Sequence, residues 1–465
     1  MGNRDEQEDS RREMRKRRRK KEQLISYLVL FAFVLLIGGA AVLGISRMIK
    51  FVDNKKEQKM QEEQSEEVTT DAQISEPTTQ EAEPEADDLD VLVDSSISQM
   101  TLEDKVAGLF MITPEALTGV GKVVQAGDGT KKALEQYPVG GLIYFGQNIA
   151  DAKQLKEMLS NTIMYSKYPL FLGIDEEGGE VARIANSKLE VEKVDEAAVI
   201  GESGDPQKAH DAAATIADYL KEYGFNVDFA PVADVLTNPD NKVIGTRSYG
   251  SDPELVATMN QAAIEGLQEN KVSACMKHFP GLGDVAQDPH KETTMTEKSL
   301  AELRETELIP YITGIETGTD MIMVSNMSAP QVNGDNTPCC MSSLLVNDVL
   351  RSELGYDGII ITDAMDMAAI TSSYQSAEAA VKAIQAGVDI ILMPQNFQEA
   401  YQGVLDAVND GTITEERINE SLHRIYRVKY RETQNLDDTE KETEKETEST
   451  TEEITTEEMT ENQTE

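Results

Sequence analysis

GIIITDAMDMAAITSSYQSAEAAVKAIQAGVDIILMP, residues 358 to 394, is the stretch whose reading decides the fold. A short apolar run, Ile359 to Ile361, leads to a charged residue, Asp363. An Ala-rich stretch, Ala377 to Ala386, follows, and then a second apolar run, Ile390 to Met393. Short runs without polar alternation are the pattern of strands covered on both faces, and Ala-rich sequence favours helix. The segment therefore reads as strand, helix, strand, with the two strands parallel.

The same alternation extends back along the chain. Apolar runs occur at Leu109 to Ile112, Gly141 to Phe145, Leu170 to Ile174, Val227 to Pro231, Ser273 to Met276 and Met321 to Val324, which with the two above makes eight. Helix-like stretches lie between most of them, at Pro206 to Tyr223, Leu255 to Asn270 and Lys298 to Thr317. Thr101-Leu-Glu-Asp before the first run has capping-box character. Strands alternating with helices imply a parallel sheet. Eight such units fit an α/β fold of the (β/α)8 TIM-barrel type better than a doubly wound sheet, which would more often carry a Gly-rich phosphate fingerprint after its first strand. Gly119-Val-Gly121 is only a weak echo of one.

Both ends of the chain are compositionally unlike this middle. Residues 1–22 are basic, with a dense block from Arg15 to Lys21, and Leu24 to Ile45 contains no formal charge. At 1.5 Å per helical residue such a run spans a bilayer core, so residues 23–46 read as a transmembrane signal-anchor helix. Its length and the Arg47 and Lys50 that follow separate it from a cleavable signal peptide. The positive-inside rule puts the N-terminus in the cytoplasm and everything after Ile49 outside the cell membrane. Residues 47–90 read as a disordered acidic linker and 433–465 as a disordered Thr/Glu-rich tail. That leaves residues 91–432 as the folded domain.

The net charge is −42, of which Asp53 to Asp90 and Thr433 to Glu465 together contribute −22. An acidic domain is a poor partner for nucleic acid, because phosphate contacts need clustered Lys and Arg. The three cysteines, Cys275, Cys339 and Cys340, make no disulfide framework. There is no HExxH, no paired CxxC and no Asp-rich calcium loop, so the sequence asks for neither metal nor cofactor.

A barrel of this type builds its site at the C-terminal ends of its strands. Asp175 ends the third run, Lys277 and His278 the fifth, Asn326 the sixth and Asp363 the seventh, with Arg247 in the long loop after the fourth. They should converge on one mouth. Taken singly, an Asp at a strand end is more often a helix cap than a catalyst, and His278 alone could be a satisfied core histidine. His210 and His423 lie in helical stretches and read as structural, while Glu176, Glu177 and Asp366 rank behind Asp175 and Asp363.

Several motifs carry a resemblance in consistent order over about residues 97 to 430: YPVGGLIYFG at 137 to 146, GIDEEGGEVAR at 173 to 183, GTRSYG at 245 to 250, KHFPGLGD at 277 to 284 with Asp288-Pro289-His290, ITDAMDM at 361 to 367 and AGVDIILMP at 386 to 394. The chain resembles the β-N-acetylglucosaminidase branch of glycoside hydrolase family 3. That resemblance implies a retaining exo-glycosidase acting on a glycan, with Asp363 as nucleophile and His290, oriented by Asp288, as acid/base. It assigns Asp175, Arg183, Arg247, Lys277 and His278 to sugar binding. Imidazole titrates near neutrality, and a neighbouring carboxylate fixes its tautomer, so the pair suits proton transfer.

The sequence departs from the family at Leu282, where the pattern has a second His, at Pro289 in place of Ser, and at Lys291-Glu-Thr-Thr in place of a following Leu-Pro. Terminal β-linked N-acetylglucosamine, from peptidoglycan fragments, is the substrate the resemblance implies. A β-glucosidase or β-glucosaminide phosphorylase on the same fold, and a catalytically impaired glycan-binding surface protein, stand as alternatives.

Overall fold

A computed structural model describes residues 88–285 and 293–431. The proposed membrane span, the acidic linker up to residue 87, the Thr/Glu tail, and Asp288 and His290 lie outside the described residues, whereas residues 88–90, read as the end of the disordered linker, open the helix Asp88–Ser98 with Leu89 buried. Among the described residues no helix is long and apolar enough to cross a membrane.

The eight apolar runs are eight parallel strands: β1 (Phe110–Ile112), β2 (Gly141–Tyr144), β3 (Phe171–Ile174), β4 (Val227–Asp228), β5 (Ser273–Phe279), β6 (Met321–Val324), β7 (Ile359–Thr362) and β8 (Ile391–Leu392). Each pairs with the next in sequence from β1 to β7, and β8 pairs with β1. The seam between β7 and β8 closes through a parallel bridge between Ile361 and Ile390, reinforced by Leu392 N–H donating to Thr362 Oγ1 at 3.0 Å. The result is the nearly closed barrel that uncharged, unalternating runs call for, since both faces of each strand are buried.

Side chains fill the barrel. A Cβ added at Gly173 of β3 would lie 2.5 Å from Met111 Cε and 3.0 Å from Phe229 Cε2, so these two large residues occupy the space a side chain there would need. Outside, Pro206–Tyr223 and Pro253–Glu269 form helices that begin on Asp205 and Asp252 caps, each followed by proline at the first helical position. Thr101 accepts from Asp104 N–H at 3.2 Å, as its sequence position suggests.

The stretch read as one helix from Lys298 to Thr317 is two, Leu300–Glu305 and Ile309–Glu316. Pro310 has no N–H to donate and fits only a first turn, so the second helix starts afresh there. The break exposes Glu307 to an inward turn, and its side chain is fully buried.

The N-terminal ends of the strands are covered by the helix of residues 415–431. Lys429 donates to Gly140 O, just before β2, at 2.8 Å, and Arg431 forms a two-pronged pair with Asp320, just before β6. Asp389, just before β8 and wholly buried, takes Arg351, Ser421 and Arg424. The helix Asp88–Ser98 is tied to the same cap, through ion pairs of Asp90 with Arg427 and His423. The described ends of the domain therefore sit at the barrel's N-terminal face.

All three cysteines are buried and free. Burial raises each thiol's pKa, that of Cys339 to about 12, so none is a ready thiolate.

Candidate active site

At the opposite face, a cavity of about 350 Å³ opens among the C-terminal ends of the strands. Asp175, Arg183, Arg247, Lys277, His278 and Asp363 all line it, brought together from five separate loops or strand ends. Asn326, which follows β6, is not in the wall. It donates through Nδ2 to Ala364 O at 2.7 Å and so braces the turn that carries Asp363.

The floor is an ion network centred on Lys277. The last residues of β5 carry Lys277 inward, 2% exposed, where its Nζ lies 2.8 Å from Asp175 Oδ1 and 2.6 Å from Glu177 Oε1. Arg247 grips Glu177 with two prongs, Nε and Nη2, each at 2.8 Å. Arg183 reaches Asp175 Oδ2 at 3.2 Å. Burial alone would push the two carboxyls up. Lys277 with Arg183 outweighs it at Asp175 and Lys277 with Arg247 at Glu177, and both are held down at about 2. Burial would lower Lys277, but its two carboxylates raise it instead, so the network is charged throughout.

Local sequence explains how these groups meet. Residues 174 to 178 are extended, so alternate side chains share a face. Asp175 and Glu177 point to the cavity, whereas Glu176 between them points outward, fully buried, accepting from Ile184 N–H, Ala185 N–H and the Tyr219 hydroxyl at 2.8, 2.8 and 2.9 Å. Glu176–Gly178 then pairs antiparallel with Val181–Ala182. Gly178 and Gly179 make the turn with φ of 88° and 53°, where a side chain is strained, and the return strand delivers Arg183 to Asp175. Arg183 stacks over Phe145, 5.6 Å from the ring centroid. Its Nε is buried and has no hydrogen-bond partner among the described residues.

Glu177, ranked behind its neighbours in the sequence reading, is thus part of the site, and the two-residue spacing from Asp175 was the signal for it. Asp234 carried no such signal. It is wholly buried after β4 and accepts His278 Nδ1 at 2.7 Å, together with the backbone N–H groups of His278 and Leu282 at 3.3 and 2.6 Å. The departure at Leu282 places an apolar side chain in the cavity wall, while its backbone holds the polar contacts, including Leu282 O to Asn241 Nδ2 at 2.7 Å. Gly283 must stay bare, because a Cβ would fall 1.8 Å from Val235 O.

Asp363 sits directly after β7, 6% exposed, with its backbone N–H bonded to Val324 O at 2.8 Å and its Oδ1 taking Ala364 N–H at 2.7 Å. Asp366 also lines the cavity but is exposed. Among the described residues no group of three His, Cys, Asp or Glu side chains is arranged to hold a metal ion. What the arrangement offers is a carboxylate at a strand end, facing a pocket floored by paired charges able to hydrogen-bond an uncharged polyol.

The family described as the Glycosyl hydrolase family 3 N terminal domain matches residues 101–428. The chain belongs to glycosyl hydrolase family 3, a family of glycoside hydrolases. Among its family 3 relatives, Beta-hexosaminidase A of Pseudoalteromonas piscicida is 31% identical over 323 residues, covering 64% of this chain and 54% of that one. The chain thus spans about half the length of that relative. The Beta-hexosaminidase of Stenotrophomonas maltophilia (strain R551-3) is 31% identical over 278 residues, 58% of this chain and 81% of the relative. The solved glycoside hydrolase family 3 beta-N-acetylglucosaminidase from Paenibacillus sp. str. FPU-7 superposes with a TM-score of 0.68 and 36% identity, covering 71% of this chain and 62% of that one.

Proposed function

We propose that this family 3 domain is a retaining exo-β-N-acetylglucosaminidase that removes terminal, non-reducing β-linked N-acetylglucosamine. The observation that carries the reading is Asp363 at the end of β7, in one cavity with the Lys277-centred network. The cavity's volume of about 350 Å³ lies at the small end of ligand sites, suiting a single terminal sugar rather than a chain passing through. The names of the relatives support the acetamido sugar.

In this reading Asp363 attacks the anomeric carbon, and the glycosidic C–O bond breaks as His290 protonates the departing oxygen. Water then opens the glycosyl-Asp363 ester, giving its proton back to His290 and restoring the free carboxylate. Asp288 holds the imidazole. The floor residues Asp175, Arg183, Arg247, Lys277 and His278 bind hydroxyls, with contacts that strengthen as charge develops on the ring.

Peptidoglycan-derived fragments are the proposed source of substrate. The uncharged run from Leu24 to Ile45 supports placement at the cell membrane, N-terminus inside and barrel outside. Comparing turnover of aryl β-N-acetylglucosaminide with aryl β-glucoside, with and without phosphate, tests the reading. Selective release of N-acetylglucosamine supports it. A sugar 1-phosphate product would replace hydrolysis with phosphorolysis, and binding without turnover would leave a glycan-binding role.

A further inference from the structure

The segment that leaves β5 and returns before residue 298 is held at both ends, and the two ends are joined to each other. On the outgoing side, Gly283 O accepts from Asn238 N–H at 3.1 Å and Asp284 O from Asn238 Nδ2 at 3.0 Å. On the returning side, Ser328 N–H donates to Thr294 O at 2.8 Å, and Thr296 N–H donates to Ser328 O at 3.0 Å. Across the gap, the Thr296 hydroxyl donates to Asp284 Oδ2 at 2.6 Å, twelve residues away in sequence. Thr296 is 1% exposed, so water does not compete for that bond.

Glu307 stands beneath the junction. It pairs with Lys298 on the returning side, and its Cγ would lie 2.6 Å from a Cβ placed on Gly281 on the outgoing side. One buried side chain therefore lies against both stems, its carboxylate on Lys298 and its methylene beside Gly281. Among the described residues, Asp284 Oδ1, Glu307 Oε2 and Thr294 Oγ1 are buried and find no hydrogen-bond partner.

We propose that Asp284 and Thr296 are a positioning pair for the acid/base step, their side-chain hydrogen bond fixing the span between the stems of the segment that carries Asp288 and His290. The proposal rests on the reading of His290 as acid/base. Neither residue touches the reacting atoms. A hydroxyl donating to a carboxylate is among the stronger and shorter neutral-to-charged bonds. Tying the ends of a loop removes conformational freedom from everything between them. Proton transfer is sensitive to such placement, since a shift of about 1 Å in a catalytic group can cost on the order of 10²-fold in rate.

A general acid matters in proportion to how poor the leaving group is, so the test is a series of aryl β-N-acetylglucosaminides from 2,4-dinitrophenyl to phenyl, assayed with the full chain. The variants are Thr296→Val, Thr296→Ser, Asp284→Asn and His290→Ala, each checked for an unchanged thermal unfolding midpoint. Thr296→Val should lower kcat/KM for the phenyl glycoside about tenfold or more, while the dinitrophenyl glycoside stays within about twofold. Thr296→Ser, which keeps the hydroxyl, should restore the phenyl rate, and Asp284→Asn should follow valine in direction. Uniform loss on all aglycones, or no loss, beside a steep aglycone dependence in His290→Ala, would overturn the pair's role alone. A flat series for His290→Ala would instead overturn the acid/base reading, and the pair's role with it.

Discussion

His278 Nδ1 lies 2.7 Å from Asp234 Oδ2, and the other oxygen of the same buried carboxylate holds the backbone at His278 and Leu282. A single side chain thus fixes both the ring and the turn that follows. With Nδ1 as the N–H, the neutral ring presents Nε2 as an acceptor. Replacing Asp234 with Asn should keep the domain folded and lower kcat/KM between about tenfold and a hundredfold, through a misplaced ring. Asp234→Ala leaves the His278 and Leu282 backbone N–H groups and the imidazole unpaired at about 1–3 kcal/mol each, and calorimetry should register the loss.

Lys277 is the residue whose removal most changes the pH response. Asp175 and Glu177 titrate near 2 in the folded protein, below their ordinary values of 3.8 and 4.5. Carboxyls lowered in this way stabilise the folded state above their unfolded values, and the contribution is lost as pH falls through the folded ones. Wild-type stability should therefore decline between about pH 4.5 and 2. Lys277→Met strands two buried carboxylates at a cost of roughly 3–5 kcal/mol near neutrality, and with their pKa values no longer held down the loss of stability on acidification should shrink, because protonation relieves the unpaired charge. Thermal unfolding across a pH series reads both effects, and an undiminished decline in the variant would contradict the network's charge state.

Asp363 and Asp366 compete for the role of nucleophile, and their settings differ. Asp363 is buried and fixed by backbone bonds, whereas Asp366 is exposed at the cavity rim. Asp363→Ala should reduce kcat on the order of 10³-fold or more with the fold intact, and Asp366→Ala far less. Mass spectrometry after trapping with a slow-hydrolysing fluorinated sugar should place the added mass on the peptide containing Asp363.

At the other end of the barrel, Asp389 is a stability determinant with no part in the chemistry. Its carboxylate takes Arg351, Ser421 and Arg424 and the Ile360 N–H at 3.0 Å, with Arg417 3.6 Å away. Asp389→Ala would leave three arginines crowded without their anion, costing roughly 3–5 kcal/mol. Turnover per folded molecule should not change.

The strands were legible because the runs are mainly apolar, Asp228 in β4 being the charged exception, and burial on both faces imposes that pattern. Charged residues at the ends of those runs were legible for the same reason, since polarity reappears where the strand meets the cavity. Glu177 was readable in principle from its two-residue spacing to Asp175, but Glu176 beside it looks identical in sequence and faces the opposite way. Asp234 and Glu307 were not readable. Asp234 meets His278 44 residues away, and Glu307 meets Lys298 from the far side of the helix Leu300–Glu305, and no local periodicity reports such meetings.

The helix of residues 415–431 and the helix Asp88–Ser98 it holds both lie at the face opposite the cavity. Fastening the domain to a support through either described end would therefore leave the cavity's opening pointed toward the medium. An antibody or resin gripping that side should leave access for substrate undiminished.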